Sequence, residues 1–194
     1  MSVSWIQAYP SNKKVHFLNC TPSEIYIEDI AHHLANICRF NGGISQFYSV
    51  AEHCFHVSKL VSPCRALDGL LHDASEAYIG DVVRQQKKHF GNYRAIENNI
   101  MAVVAVKFKL DLSFQSHPEI KLIDEKLAYT EAMKLGKDVD EWPTKQTPYD
   151  LGIIRCWEPE LAKSRFLKRF WSVYDDSEEI TGYTNQCYQK KHRI

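Results

Sequence analysis

Apolar residues recur at helical spacing along most of the chain. Ile27, Ile30, Ala31, Leu34, Ile37 and Cys38 predict a first amphipathic helix, starting as early as the capping pattern Thr21-Pro22-Ser23-Glu24 and ending before Asn41-Gly42-Gly43. A second helix starts at Ser49-Val50-Ala51-Glu52, another capping pattern, with Val50, Cys54, Val57 and Val61 as its apolar stripe. Ser62-Pro63 opens a third, which carries Ala66, Leu67, Leu70, Leu71 and Ala74 inward and stops at Gly80. Tyr93, Ile96, Ile100, Val103 and Val104 mark a fourth helix. A fifth runs from Ser116-His117-Pro118-Glu119 to about Gly136, and a last one from Glu158-Pro159 through Leu161, Leu167, Phe170 and Trp171.

The segments between are short of such patterns. Val15-His16-Phe17-Leu18 reads as a short extended piece, and residues 137–157, with Pro143, Pro148 and Gly152, as a loop holding at most one short helix. Residues 175–194 are acidic, then basic, with little to bury, so they read as a polar C-terminal tail. No linker divides the rest, and one all-α domain over residues 1–174 is expected.

Charge and composition narrow the class. The chain has 194 residues, with 24 Lys+Arg against 24 Asp+Glu and a formal net charge of zero. That balance argues against a protein that coats nucleic acid, while leaving room for a local site for a small anion. No stretch is long and apolar enough for a transmembrane helix, and no secretory signal is visible at the start, so the expected location is the cytoplasm. None of the six cysteines forms a C-x-x-C pair, and reduced, mostly buried thiols are the expectation.

Polar residues on apolar faces carry the candidate chemistry. His53 lies at the edge of the second helix's stripe, with His56 turned further toward solvent. His72-Asp73 directly follow Leu70 and Leu71, and Asp124 directly follows Ile123. A carboxylate on a buried face must be paired, hydrogen-bonded or metal-bound. Taken singly, each residue reads most simply as a satisfied core histidine or a paired acid. Two imidazoles and two carboxylates converging from three helices would also suit a divalent metal such as Zn, Co or Mn.

The strings Ser49-Val-Ala-Glu-His53 and Leu70-Leu-His-Asp-Ala-Ser-Glu-Ala-Tyr-Ile-Gly-Asp81, followed by Asp124, strongly resemble the HD-domain phosphohydrolase superfamily. The H…HD…D pattern has spacings of 19 residues (53 to 72) and 51 residues (73 to 124). The resemblance covers about residues 25–135 and looks like the branch of YfbR-type deoxynucleotidases and the dATP triphosphohydrolases of phages with 2-aminoadenine genomes. It implies a helical bundle around a metal site, with His53, His72, Asp73 and Asp124 as ligands. It implies Glu76 as the water-orienting or acid/base group and Asp81 near the sugar hydroxyl or a second ion.

Arg39-Phe40 stands where those deoxynucleotidases carry Arg-Trp, which implies a phosphate contact and a stacking surface. Arg84, Lys87 and Lys88 follow Asp81 where those enzymes have a proline-containing segment, and add cations suited to several phosphates or simply to a solvated basic loop. Tyr78 and Lys121 are weaker candidates for substrate contact.

The expected activity is metal-dependent hydrolysis of a deoxynucleotide: dATP, to deplete its pool, or a deoxynucleoside 5′-monophosphate. A non-catalytic nucleotide sensor on the same scaffold, or a helical interaction protein with scattered core histidines, would be the other classes. The resemblance also implies a homo-oligomer, dimer or hexamer, with no nucleic-acid polymer or membrane as partner, and the host cytoplasm as the location if phage-encoded.

Overall fold

The structure is a computed structural model that describes residues 4–142 and 145–174. The helices are α1 (Ile27–Asn36), α2 (Val50–Leu60), α3 (Ala66–Leu71), α4 (Glu76–Ile79), α5 (Arg84–Lys87), α6 (Tyr93–Phe108), α7 (Pro118–Lys134) and α8 (Pro159–Val173). The described chain is therefore mostly helical, as the periodicity predicts. One small antiparallel hairpin departs from that, pairing β1 (Trp5–Gln7) with β2 (Lys14–His16) in the register Ile6↔Val15. The polar tail at 175–194 lies outside the described residues.

α2 is the hub and packs against α1, α3, α7 and α8. Its start is the predicted cap: the Ser49 hydroxyl accepts from the Glu52 N–H at 3.1 Å, filling one of the orphan donors of a helix start. One apolar cluster joins α1, α2, α3, α6 and α8 through side chains such as Ile30, Leu34, Cys54, Leu70, Ile100 and Phe166. A second joins α2 to α7 through Tyr48, Val57, Ile120, Ile123 and Leu127. Each fully buried Leu, Ile or Phe contributes on the order of 1.5–3 kcal/mol relative to exposure, so both faces of α2 are held firmly. His53 lies on α2 between the two clusters.

Three local departures shape the site. Thr21 makes no side-chain cap; Pro22–Glu24 is a separate single turn, and the Glu24 carboxylate instead accepts from His16 N at 3.0 Å. The first helix ends at Asn36, and Ile37-Cys38 are extended, because Cys38 pairs with Ser49 and Val50 N–H reaches Ile37 O at 3.1 Å. That pairing closes the 37–49 loop and sets Arg39 beside Tyr48. The predicted third helix is interrupted: after a single turn at Pro63–Arg65, α3 and α4 are separated at 72–75 by tighter bonds such as Glu76 N–H to Asp73 O at 3.0 Å. Gly80 then stops the run at φ +80 and ψ 159, a conformation that essentially only glycine adopts, and turns the chain toward Asp81.

Candidate metal centre

The interrupted α3–α4 turn, α2 and α7 bring four predicted residues together. His53 Nε2 lies 3.3 Å from His72 Nε2 and 3.1 Å from Asp124 Oδ1, and His72 Nε2 lies 3.2 Å from Asp73 Oδ2. The diagonal distances are 3.8 Å from His53 Nε2 to Asp73 and 3.9 Å from His72 Nε2 to Asp124. The rings are buried, while the side chains of Asp73 and Asp124 are 23% and 29% exposed, which opens one side of the group to a small molecule.

Both rings are oriented through their other nitrogen. His72 Nδ1 sits 2.8 Å from the Gly69 carbonyl, which can only accept, so Nδ1 carries the proton and Nε2 presents its lone pair. His53 Nδ1 sits 2.7 Å from Glu131 Oε1, with the same consequence. Two imidazole lone pairs and two carboxylate oxygens thus converge, an arrangement that repels itself unless a cation or a proton lies among them. His53, His72 and Asp73 alone form a donor group compact enough to hold a metal ion, and nitrogen with carboxylate oxygen suits a borderline divalent metal. The chain's own counter-charge is a proton. Burial and Arg39 oppose charging of His53, but Glu131 and the hydrogen bond with Asp124 outweigh them and raise it to about 9. Burial likewise works against the Asp124 anion, yet the two imidazoles and Arg39 hold its carboxyl well below the usual range.

Glu131 is the residue that the apolar pattern missed. It is fully buried and accepts from Tyr48 Oη at 2.8 Å, Arg39 Nε at 3.0 Å and His53 Nδ1. Its carboxyl stays low despite burial because Arg39 and His53 surround it. The available signal is its spacing: Glu131 follows Asp124 by two helical turns and Leu127 by one, on the inward face of α7. Glu52 has a role that its place in the cap pattern conceals. Beside His53 in the sequence but fully buried, it accepts from the backbone N–H groups of Arg155, Cys156 and Trp157 at 2.8, 3.2 and 2.6 Å. His56, expected toward solvent, is buried against Glu52 and Trp157 because the 154–157 segment covers it.

The remaining candidates divide. Arg39 is buried, and its second guanidinium arm lies 3.8 Å from Asp73 Oδ2. Phe40 sits beside it at φ +55, its ring 5.4 Å from the Arg39 guanidinium. Glu76 is buried; one carboxylate oxygen lies 3.5 Å from Lys87 Nζ and the other has no partner among the described residues. Burial, then repulsion from Asp73 and Asp81, pushes the Glu76 carboxyl well above its ordinary value. Burial also raises Asp81, against the pull of Arg39. Lys87 is held at 2.6 Å by Glu97, and Arg84 is exposed and paired with Glu125 at 3.1 Å. Lys88 and Lys121 are exposed. Tyr78 is buried against His33 of α1, and the structure does not bring it into the group.

Among the described residues no helix is long and apolar enough to cross a membrane. No family model matches the chain. It is 36% identical over 120 residues to an uncharacterized protein of Rhodobacter capsulatus, an alignment covering 57% of this chain and 61% of that one. It is 38% identical over 171 residues to the uncharacterized protein YfdR of Escherichia coli (strain K12), covering 87% of this chain and 94% of the relative. At that identity and coverage the chain belongs to the YfdR family.

Proposed function

We propose that the chain is a metal-dependent phosphohydrolase of the HD type that acts on deoxynucleotides. The observation that carries this reading is the pair of imidazoles, each tied through Nδ1 and facing the other through Nε2 at 3.3 Å, with Asp73 and Asp124 around them and Arg39 alongside. His53, His72, Asp73 and Asp124 would hold the ion, and Glu76 and Asp81 would be the acids for a second. When bound, a divalent metal supplies a Lewis acid for a phosphoryl oxygen and lowers the pKa of water.

The chain's own residues do the rest. Arg39 offers a guanidinium locked in place by Glu131, ready to meet phosphate oxygens and the charge that develops on them. Glu76, whose carboxyl takes up a proton more readily than an ordinary one and has one unpartnered oxygen, would exchange a proton with water or the leaving group. Phe40 offers an aromatic face next to Arg39 for the nucleoside.

Hydrolysis of dATP is the specific substrate reading. One observation favours a 5′-monophosphate instead: Arg84 and Lys87 are engaged by Glu125 and Glu97, which leaves Arg39 as the cation beside Asp73 among the described residues. The test is phosphate release from dATP, dGTP and dAMP by purified protein loaded with Co, Mn or Zn, beside Glu76→Gln. Turnover of one of them that falls at least about 100-fold in Glu76→Gln supports the reading. Metal-loaded protein that hydrolyses none overturns it, and release from dAMP faster than from dATP selects the monophosphatase.

A further inference from the structure

On another face of α2 from His53, a cavity of about 540 Å³ opens. Its walls are Phe55, His56 and Lys59 of α2, Ile153, Arg155 and Trp157 of the segment entering α8, and Arg165 of α8. Lys59, Arg155 and Arg165 bring positive charge to it, and no carboxylate lines it. The cations nearest the His53/His72 group are neutralised locally: Arg39 by Glu131, Arg84 by Glu125 and Lys87 by Glu97. Among the described residues Lys59, Arg155 and Arg165 have no such acidic partner. Three cations without an acidic partner among the described residues therefore face one concave surface.

The walls are also held in place. The buried Glu52 carboxylate accepts from the backbone N–H groups of Arg155, Cys156 and Trp157, which fixes the segment that presents Arg155 and Trp157 to the cavity. The Arg165 guanidinium lies 4.6 Å from the Trp157 ring centroid, a cation on an aromatic face. Phe55 meets Trp157 edge-on at 5.1 Å. Two arginine forks and an ammonium around one concave surface match the oxygens of phosphate, and three cations exceed what one phosphate group needs.

We propose that this cavity is a second anion site, which binds a ligand carrying two or more phosphate groups and is separate from the His53/His72 group. It does not depend on the phosphohydrolase reading. The probes are inorganic tripolyphosphate and ATP, titrated calorimetrically into the full chain with chelator present, so that no metal bridges phosphate to Asp73 or Asp124. Both bind, and more weakly as salt rises. Lys59, Arg155 and Arg165 are exposed, so K59Q/R155Q/R165Q keeps the fold, checked by its circular dichroism and melting temperature. That variant loses at least about tenfold in affinity, the scale of one or more charge-assisted contacts, while Asp124→Asn leaves binding unchanged. Tighter binding of ATP than of tripolyphosphate adds a base on the Trp157 wall; equal binding assigns the site to the phosphates alone. Absence of binding by both probes, or binding kept in the triple variant, overturns the proposal.

Discussion

In Glu131→Gln the side chain keeps its shape and loses its charge. All three of its partners donate, and an amide offers one acceptor oxygen and an NH₂ group that faces a donor. Arg39 is then left buried beside a neutral group, and breaking a buried ion pair from one side costs about 3–5 kcal/mol. His53 then faces at most a neutral amide oxygen in place of the carboxylate, and loss of such a carboxylate partner typically weakens metal binding about 10–100-fold. Tyr48→Phe is the control: it removes one hydrogen bond, about 1 kcal/mol, and leaves Glu131 charged. Chelator competition with Zn or Mn and urea denaturation read the two effects separately. Unchanged metal affinity in Glu131→Gln would show that the carboxylate only supports the fold.

At the scale of elements, two glycines near the group predict losses of different origin. Gly69 lies where α3 meets α2: an added Cβ would stand 3.1 Å from Val61 Cγ2, 3.2 Å from Ser58 Cα and 3.3 Å from Ser58 N. Helix propensity favours Gly69→Ala by about 1 kcal/mol, but two of the crowded atoms are backbone and cannot rotate away. The expected net effect is destabilisation by about 1–3 kcal/mol, with weaker metal binding because the Gly69 carbonyl that orients His72 is displaced. At Gly80 nothing lies within 4 Å of an added Cβ, yet φ is +80. Gly80→Ala therefore costs about 1–3 kcal/mol through backbone strain and shifts Asp81 rather than His72. Equal metal affinities in the two variants would contradict this division.

The same elements show what the sequence makes legible. The Ser49 cap, the α7 start at His117-Pro118 and the Gly80 stop are local chemistry, and each is found where its residues place it. The interruption at 72–75 is not local. It accompanies the His72 ring bond to Gly69 and the contact of Ser75 N–H with Met101 of α6, and an unbroken apolar stripe conceals both. His53, His72, Asp73 and Asp124 were visible as polar residues on apolar faces. Glu131 and Glu52 were not, because periodicity marks a residue as inward and is silent about which distant donors it meets: Arg39 lies 92 residues from Glu131, and Trp157 lies 105 from Glu52.

Over the whole molecule, neutrality conceals a local imbalance. Asp73, Glu76 and Asp81 crowd one place, and their mutual repulsion adds to burial in raising Glu76 and Asp81. A carboxyl whose folded pKa lies above its unfolded value contributes stability that is complete below the unfolded value and is lost as pH rises through the folded one. In chelator these two groups therefore subtract stability as pH climbs above the ordinary carboxyl range. A divalent cation held by His53, His72 and Asp73 lowers the cost of ionising the neighbouring acids. It also stabilises the folded chain by mass action, about 2.7 kcal/mol at a free concentration 100 times its dissociation constant. The melting temperature should thus rise on adding Zn, Co or Mn, and the gap between metal-loaded and chelated protein should widen as pH rises from about 5 to 8. That widening has a second source, since His53 must release its proton before its nitrogen can bind a metal. Asp81→Asn separates the two: it removes one repelling charge, so it should raise the chelated protein's stability at pH 8 and narrow the gap there. A gap independent of pH, or a metal effect that survives His72→Ala, would place the bound ion elsewhere.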